Sequence, residues 1–193
     1  QDKVSDKEAM LSFTAKVRNT EKKVQKAVIS FLIKEQDGKV LKETKGEKMI
    51  LPETTMPITS AFRIDNPHLW NGKKDPYLYT AEVKVKVGSE IVDNYTFPLG
   101  IRYYSIDPDR GFILNGHSYP LRGVSLHEER KDKGNAVSDT ERKEDIDRII
   151  AMGSNYIRLS HYQHGDFTYH YLDSLGIICW TETPVINKIK DTE

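Results

Sequence analysis

A chain of 193 residues, 37% apolar and 30% charged, has the composition of an ordinary globular polypeptide of one or two domains. Its 29 basic side chains equal its 29 acidic ones, a balance that argues against a nucleic-acid or anionic-membrane partner. No apolar run approaches the roughly 20 residues needed to span a bilayer, and the single cysteine, Cys179, can close no intrachain disulfide.

In chain order, Gln1 to Ala9 is polar and charged and reads as an internal boundary of a longer chain rather than a leader. Residues 9 to 100 then alternate with the period of half-buried strands. Phe13, Ala15 and Val17 share one face of the first, and Ala27, Ile29, Phe31 and Ile33 share one face of the second. Asp37-Gly38 closes a hairpin, since both residues tolerate positive φ. Further strands are expected at 58–64, 77–87 and 91–99, the last two joined across Gly88-Ser89. Six or seven short strands in about 90 residues predict an immunoglobulin-like β-sandwich. Trp70, Tyr77 and Tyr79 lie in or beside a strand, and their alternation fits packing better than a sugar-stacking platform.

The period changes after residue 110. A short strand is expected over 121–125. Ser138-Asp139-Thr140-Glu141 then opens a helix, because the serine and the glutamate can satisfy each other's free backbone donors as a capping box. Ile146, Ile149 and Ile150 form its apolar stripe, and Gly153 fits its left-handed end. A strand over 156–159, a helix carrying Phe167, Tyr171, Leu172 and Leu175 and stopped at Gly176, and a strand over 177–180 complete a βαβαβ order. That order implies a parallel sheet, either open and doubly wound or an arc of a closed barrel. Asp107-Pro108-Asp109 reads as a turn near the domain boundary, which divides the chain into 1–106 and 107–193. Cys179, inside the apolar run 176–180 with no basic neighbour, reads as a small core hydrophobe.

Polar residues follow the expected strand ends: His127 and Glu128, then Ser160 and His161, then Glu182. In parallel α/β architectures the carboxyl ends of the strands converge on one face, where ligands bind. Four of the six histidines fall after residue 126, so a metal held by His161, His164 and Glu128 is a reading to weigh. No cysteine pairs and no His-Glu-x-x-His motif support it.

The segments Gly100-Ile101-Arg102, Gly111-Phe112-Ile113-Leu114-Asn115-Gly116 and Leu121-Arg122-Gly123-Val124-Ser125-Leu126-His127-Glu128 resemble the sandwich-to-barrel junction of glycoside hydrolase family 2, the β-galactosidase and β-glucuronidase family. Asn155-Tyr156-Ile157-Arg158-Leu159-Ser160-His161-Tyr162 resembles the second barrel strand of that family. Leu69-Trp70 and Asp75-Pro76-Tyr77-Leu78-Tyr79 resemble its immunoglobulin-like domain. The resemblance implies a retaining glycosidase, of β-galactosidase type, that cleaves a terminal β-linked sugar with two carboxyl groups about 5 to 5.5 Å apart. It places those glutamates after the fourth and seventh barrel strands. This sequence reaches the third, and only 84 residues follow Asp109, whereas a whole barrel takes about 250.

The resemblance therefore implies a fragment: a sandwich, then an incomplete (β/α)8 barrel of three strands and two helices, inactive by itself, with no catalytic residue of its own. It implies supporting roles for the residues present. Arg158 would lie beneath the nucleophile and His127 and His161 would line the sugar pocket. Glu128 would support the pocket or be a solvated loop carboxylate, and Glu182 would meet sugar or metal. The partner is a carbohydrate substrate of the longer protein. No cofactor is expected of the fragment, though the longer protein has room for a divalent cation. Gln163 stands where the family commonly has proline, and Thr181 where many members have aspartate, so no single relative's sugar preference transfers. The compartment, cytoplasmic or periplasmic, is not legible. Open edges on the first and third barrel strands predict self-association. The competing reading is a non-catalytic carbohydrate- or protein-binding sandwich with a small α/β domain.

Overall fold

The computed structural model describes residues 3–185. It divides into two compact units, the described parts of Gln1–Leu69 with Leu78–Tyr103, and of Trp70–Tyr77 with Tyr104–Glu193.

The first unit contains β1 (Lys3–Val4), β2 (Glu8–Arg18), β3 (Gln25–Lys34), β4 (Val40–Ile50), β5 (Thr55–Asp65), β6 (Tyr79–Val87) and β7 (Glu90–Leu99). They pair in two sheets, β1-β2-β5 and β4-β3-β6-β7, antiparallel throughout. This is the expected sandwich. Alternation decides which face goes inward: Ala27, Ile29, Phe31 and Ile33 are buried, as are Leu11, Phe62 and Ile64 from the other sheet. The hairpin at Asp37-Gly38 forms with Gly38 at φ +85° and the Asp37 carboxylate accepting from Lys39 N at 2.9 Å. Its second arm, β4, escaped sequence reading. It is an edge strand with charges at Lys42, Glu43, Lys45, Glu47 and Lys48, so it lacks the apolar period that marks a strand and carries the charges that discourage edge-to-edge pairing.

The second unit contains a hairpin-linked sheet of β8 (Tyr104–Asp107), β9 (Gly111–Leu114) and β10 (His117–Ser118), followed by β11 (Gly123–His127), α1 (Asp139–Ala151), β12 (Tyr156–Ser160), α2 (Asp166–Leu175) and β13 (Ile178–Thr181). β11, β12 and β13 form a parallel sheet with β12 in the middle. The Asp107 turn exists because its carboxylate accepts from the backbone of Asp109 and Arg110 at 3.0 and 2.9 Å. Both halves of the Ser138–Glu141 capping box are present, with Ser138 N donating to Glu141 Oε2 at 2.9 Å. Gly176 ends α2 at φ +72°. A Cβ there would lie 2.3 Å from the backbone of Gly72, so both conformation and space demand glycine.

Ile146 and Ile149 of α1, Ile157 and Leu159 of β12, Leu172 of α2, and Ile177 make the core of this unit, with Cys179 packed partly buried against it. The excursion Trp70–Tyr77 belongs to the same unit. The Trp70 indole is buried and donates to Asp173 O at 2.8 Å, and Asn115 Nδ2 donates to Trp70 O at 3.0 Å. Tyr79 is buried as well, its hydroxyl accepting from His68 N in the first unit. Among the described residues no helix is long and apolar enough to cross a membrane. Neither β11 nor β13 has a second strand neighbour among them.

Candidate functional site

The register of the parallel sheet decides which side chains share a face. Ile157 and Leu159 point to the helices, with Leu126 and Cys179 packed beside them. The neighbouring positions therefore point away from the helices, and the row Ser125, Arg158, Trp180 lies directly in register across that open face. The first strand ends two residues beyond the expected position and the second and third one residue beyond, so His127, Ser160 and Thr181 are the last strand residues. Trp180 lies 51% exposed beside Arg158 on the open face, where the sequence pattern alone marks it as no more than a strand residue. Its shared register row with Arg158 is the signal that would have found it.

At the carboxyl ends of β12 and β13 three of the expected side chains meet. Arg158 donates to Glu182 twice, Nε to Oε1 at 2.7 Å and Nη2 to Oε2 at 3.2 Å, a bidentate pair. His161 Nδ1 lies 2.9 Å from Glu182 Oε2 and 3.2 Å from Arg158 Nη2. A carboxylate oxygen can only accept, so in the 2.9 Å contact His161 Nδ1 is the donor to Glu182. The His127 ring stands edge-on to His161, centroids 5.2 Å apart. The Arg158 hydrogen bond, followed by that from His161, holds the Glu182 carboxyl below the usual carboxylate range against the opposing effect of burial. Glu182 reciprocally holds the Arg158 guanidinium charged. One edge of the Arg158 guanidinium, Nε and Nη2, is committed to Glu182.

Glu128 is not part of that group. Its Oε1 accepts from Arg142 Nη2 of α1 at 2.7 Å, and its Oε2 accepts from Gly165 N, the residue that caps α2, at 3.0 Å. Its own backbone N donates to the Tyr162 hydroxyl at 3.2 Å. Burial would raise its pKa, but the Arg142 hydrogen bond and the Gly165 N–H outweigh it, and the carboxyl lies below the usual range. His164 is buried beside it, Nδ1 3.6 Å from Oε2, and burial holds its imidazole pKa down. The carboxylate thus ties the loop after β11 to the starts of both helices. Sequence reading had no access to this, because nothing at Arg142 distinguishes it from any exposed helix arginine.

Gln163 ties the next loop. Its amide donates to Glu182 O at 2.9 Å and accepts from the Tyr169 hydroxyl at 2.9 Å, a role proline could not fill. His161 and Glu128 thus engage different partners, and among the described residues no three His, Cys, Asp or Glu side chains converge as a metal ligand set.

Glu128→Ala should lower stability by about 2–4 kcal/mol, because it leaves the Arg142 charge short of a partner and the Gly165 N–H unpaired in a largely buried place. Both tryptophans of the chain lie in the second unit, so their fluorescence reads its unfolding selectively. The carboxyl pKa is lowered on folding, so the advantage of wild type over Glu128→Gln is complete above the ordinary carboxylate pKa of 4.5. It should disappear as pH falls through the lower folded value. An advantage that grew on acidification would contradict the assignment.

The family model described as glycosyl hydrolases family 2 matches residues 1–102, and that family's TIM barrel domain model matches residues 108–190. The chain belongs to glycosyl hydrolase family 2. A β-glucuronidase of Bacteroides fragilis is 42% identical over 123 residues, which cover 64% of this chain and 18% of that protein. A β-galactosidase of Thermoanaerobacter pseudethanolicus is 31% identical over 191 residues, 98% of this chain and 25% of that protein. Among solved structures, a putative β-galactosidase from Bacteroides fragilis matches with TM-score 0.92 at 33% identity, covering 97% of this chain and 28% of the other. Bacteroides uniformis β-glucuronidase 2, covalently bound to cyclophellitol-6-carboxylate aziridine, matches with TM-score 0.93 at 29% identity, covering 99% of this chain and 23% of the other. The chain spans about a fifth to a quarter of the length of these curated relatives. The architecture of this family 2 chain is a sandwich followed by the start of a TIM barrel.

Proposed function

We propose that the longer protein containing this chain hydrolyses terminal β-glycosides with retention, and that these residues supply the sandwich and the supporting side of the sugar pocket. The observation that carries this reading is the Arg158–His161–Glu182 group at the carboxyl ends of β12 and β13, with His127 edge-on beside it. Such a mouth is where parallel-barrel enzymes assemble their sites. A charge-compensated arginine there offers a fixed cation to a neighbouring carboxylate nucleophile, and His161 Nε2 and His127 offer ring nitrogens to sugar hydroxyls. Glu128 supports the pocket from behind by fixing the loop that follows His127. The two reacting carboxyl groups belong to the barrel strands beyond those described, which makes the present chain inactive by itself.

The terminal sugar that is cleaved is a galactosyl or a glucuronyl residue, since relatives of both names resemble this chain. The β-galactosidase reading rests on the relative matched over nearly the whole chain. The glucuronidase reading rests on the higher identity of the B. fragilis protein over part of it. The longer protein, incubated with p-nitrophenyl β-galactoside and β-glucuronide in separate reactions, should turn over one of them at least tenfold faster. Proton NMR should show the β-anomer of the sugar forming first. The α-anomer as first product, or hydrolysis of neither substrate, would contradict the proposal.

A further inference from the structure

Two buried polar atoms in the Glu128 group have no hydrogen-bond partner among the described residues. Arg142 spends Nη2 on Glu128 and Nη1 on Asp139, at 2.7 and 2.6 Å, but its Nε, shut off from solvent, donates to none of them. The other atom is Nδ1 of His164, whose side chain is 1% exposed. His164 Nε2 lies 3.3 Å from the carbonyl oxygen of Ser160, which can only accept, so Nε2 carries the ring proton. Burial favours the neutral imidazole and leaves Nδ1 a bare acceptor. Glu128 Oε2, 3.6 Å away, is an acceptor too and cannot satisfy it. Buried donors and acceptors are costly to leave unmade, and native interiors pair nearly all of them.

Both side chains line one small cavity, together with Leu126, Val137 and Thr168, in which about 10 Å³ is open to the centre of a water-sized sphere. That is room for one water and little more. The chemistry of the wall narrows the occupant further, since it must accept from Arg142 and donate to His164. An anion would face the Nδ1 lone pair and the Glu128 carboxylate, and a cation would face the guanidinium. We propose that this cavity is a binding site for a single structural water, which accepts from Arg142 Nε and donates to His164 Nδ1. Its second O–H has Glu128 Oε2 within reach, because that oxygen lies 3.6 Å from Nδ1, and three hydrogen bonds are typical of a buried water. The water joins His164, on the loop between β12 and α2, to Arg142 of α1, and both to the carboxylate that holds the loop after β11. It belongs to the Glu128 group and owes nothing to the glycosidase reading.

The test is a high-resolution crystal structure of the longer protein, with a second data set from crystals soaked in sodium bromide. One fully occupied density peak is expected within about 3.2 Å of both Arg142 Nε and His164 Nδ1, with no anomalous signal at the bromine edge. Val137, 7% exposed in the cavity wall, supplies the variant. The methyl added by Val137→Ile takes the place of the water. The peak should then vanish and the melting temperature should fall by about 2–4 °C, because two polar atoms are left unpaired. No peak beside well-ordered Arg142 and His164 side chains would overturn the proposal. A bromide signal at that position would do the same, by showing an anion site. So would a Val137→Ile protein that melts higher than wild type, since a methyl stabilises the cavity it fills only where that cavity is dry and apolar.

Discussion

Gly123→Ala should unfold the second unit while leaving the sandwich intact. A Cβ at Gly123 would stand 1.7 Å from the carbonyl oxygen of Tyr156, its partner in the β11–β12 register, and backbone cannot yield as a flexible side chain can. Relief requires β11 to separate from β12, and β11 has no other strand neighbour among the described residues to hold it. The expected loss exceeds about 4 kcal/mol, in the range reserved for strain and lost pairing, against a total stability of about 5–15 kcal/mol for a domain. Tryptophan fluorescence should shift to that of exposed indole, since Trp70 and Trp180 both lie in this unit, while the sandwich keeps its β-sheet circular dichroism. Gly46→Ala on β4, where nothing lies within 4 Å of the added carbon, is the matched control and should change stability by under about 0.5 kcal/mol. A folded, native-like Gly123→Ala protein would refute the strand pairing that creates the site.

In the longer protein, Arg158→Ala should lower kcat by about 10²–10³ with little change in KM, the usual cost of removing one preorganised charge at a reacting centre. The substitution should leave the fold standing, because the Arg158 side chain is more than a third exposed and its pair with Glu182 contributes little to stability. Its effect should be catalytic. Without the guanidinium Glu182 loses its chief partner, His161 Nδ1 faces a carboxylate no longer shared, and the fixed cation offered to a neighbouring nucleophile is gone. Arg158→Lys should recover only part of the loss, since an ammonium cannot bridge both oxygens of Glu182. An Arg158→Ala enzyme with unchanged kcat would reduce the arginine to a surface ion pair.

The sandwich was legible in the sequence wherever one face is buried, because apolar alternation is then obligatory. It was illegible at β4, which buries little, and at β8 to β10, which are too short to show a period. The helices announced themselves through Ser138, Glu141 and Gly176, whose chemistry is local. The start of β11 was placed two residues early because Leu121 looks like a strand residue. The constraint that actually fixes the strand, room for a carbonyl against Gly123, is visible only once Tyr156 is beside it.

The same division holds at the site. The placement of Arg158, His161 and Glu182 at strand ends follows from the βαβαβ order, and the structure brings the three within hydrogen-bonding distance. The anchoring of Glu128 by Arg142 and Gly165 depends on tertiary approach across separations of 14 and 37 residues, which no local pattern encodes.

Under the proposed function this chain holds the supporting half of a glycosidase site without its reacting acids. The direct measurement is p-nitrophenol release by the purified 193-residue chain from the β-galactoside and the β-glucuronide. Release should not rise above the buffer blank, and Glu128→Gln and Glu182→Gln should change nothing. Steady turnover of either substrate, abolished by either substitution, would mean that a working carboxyl pair lies within these residues after all.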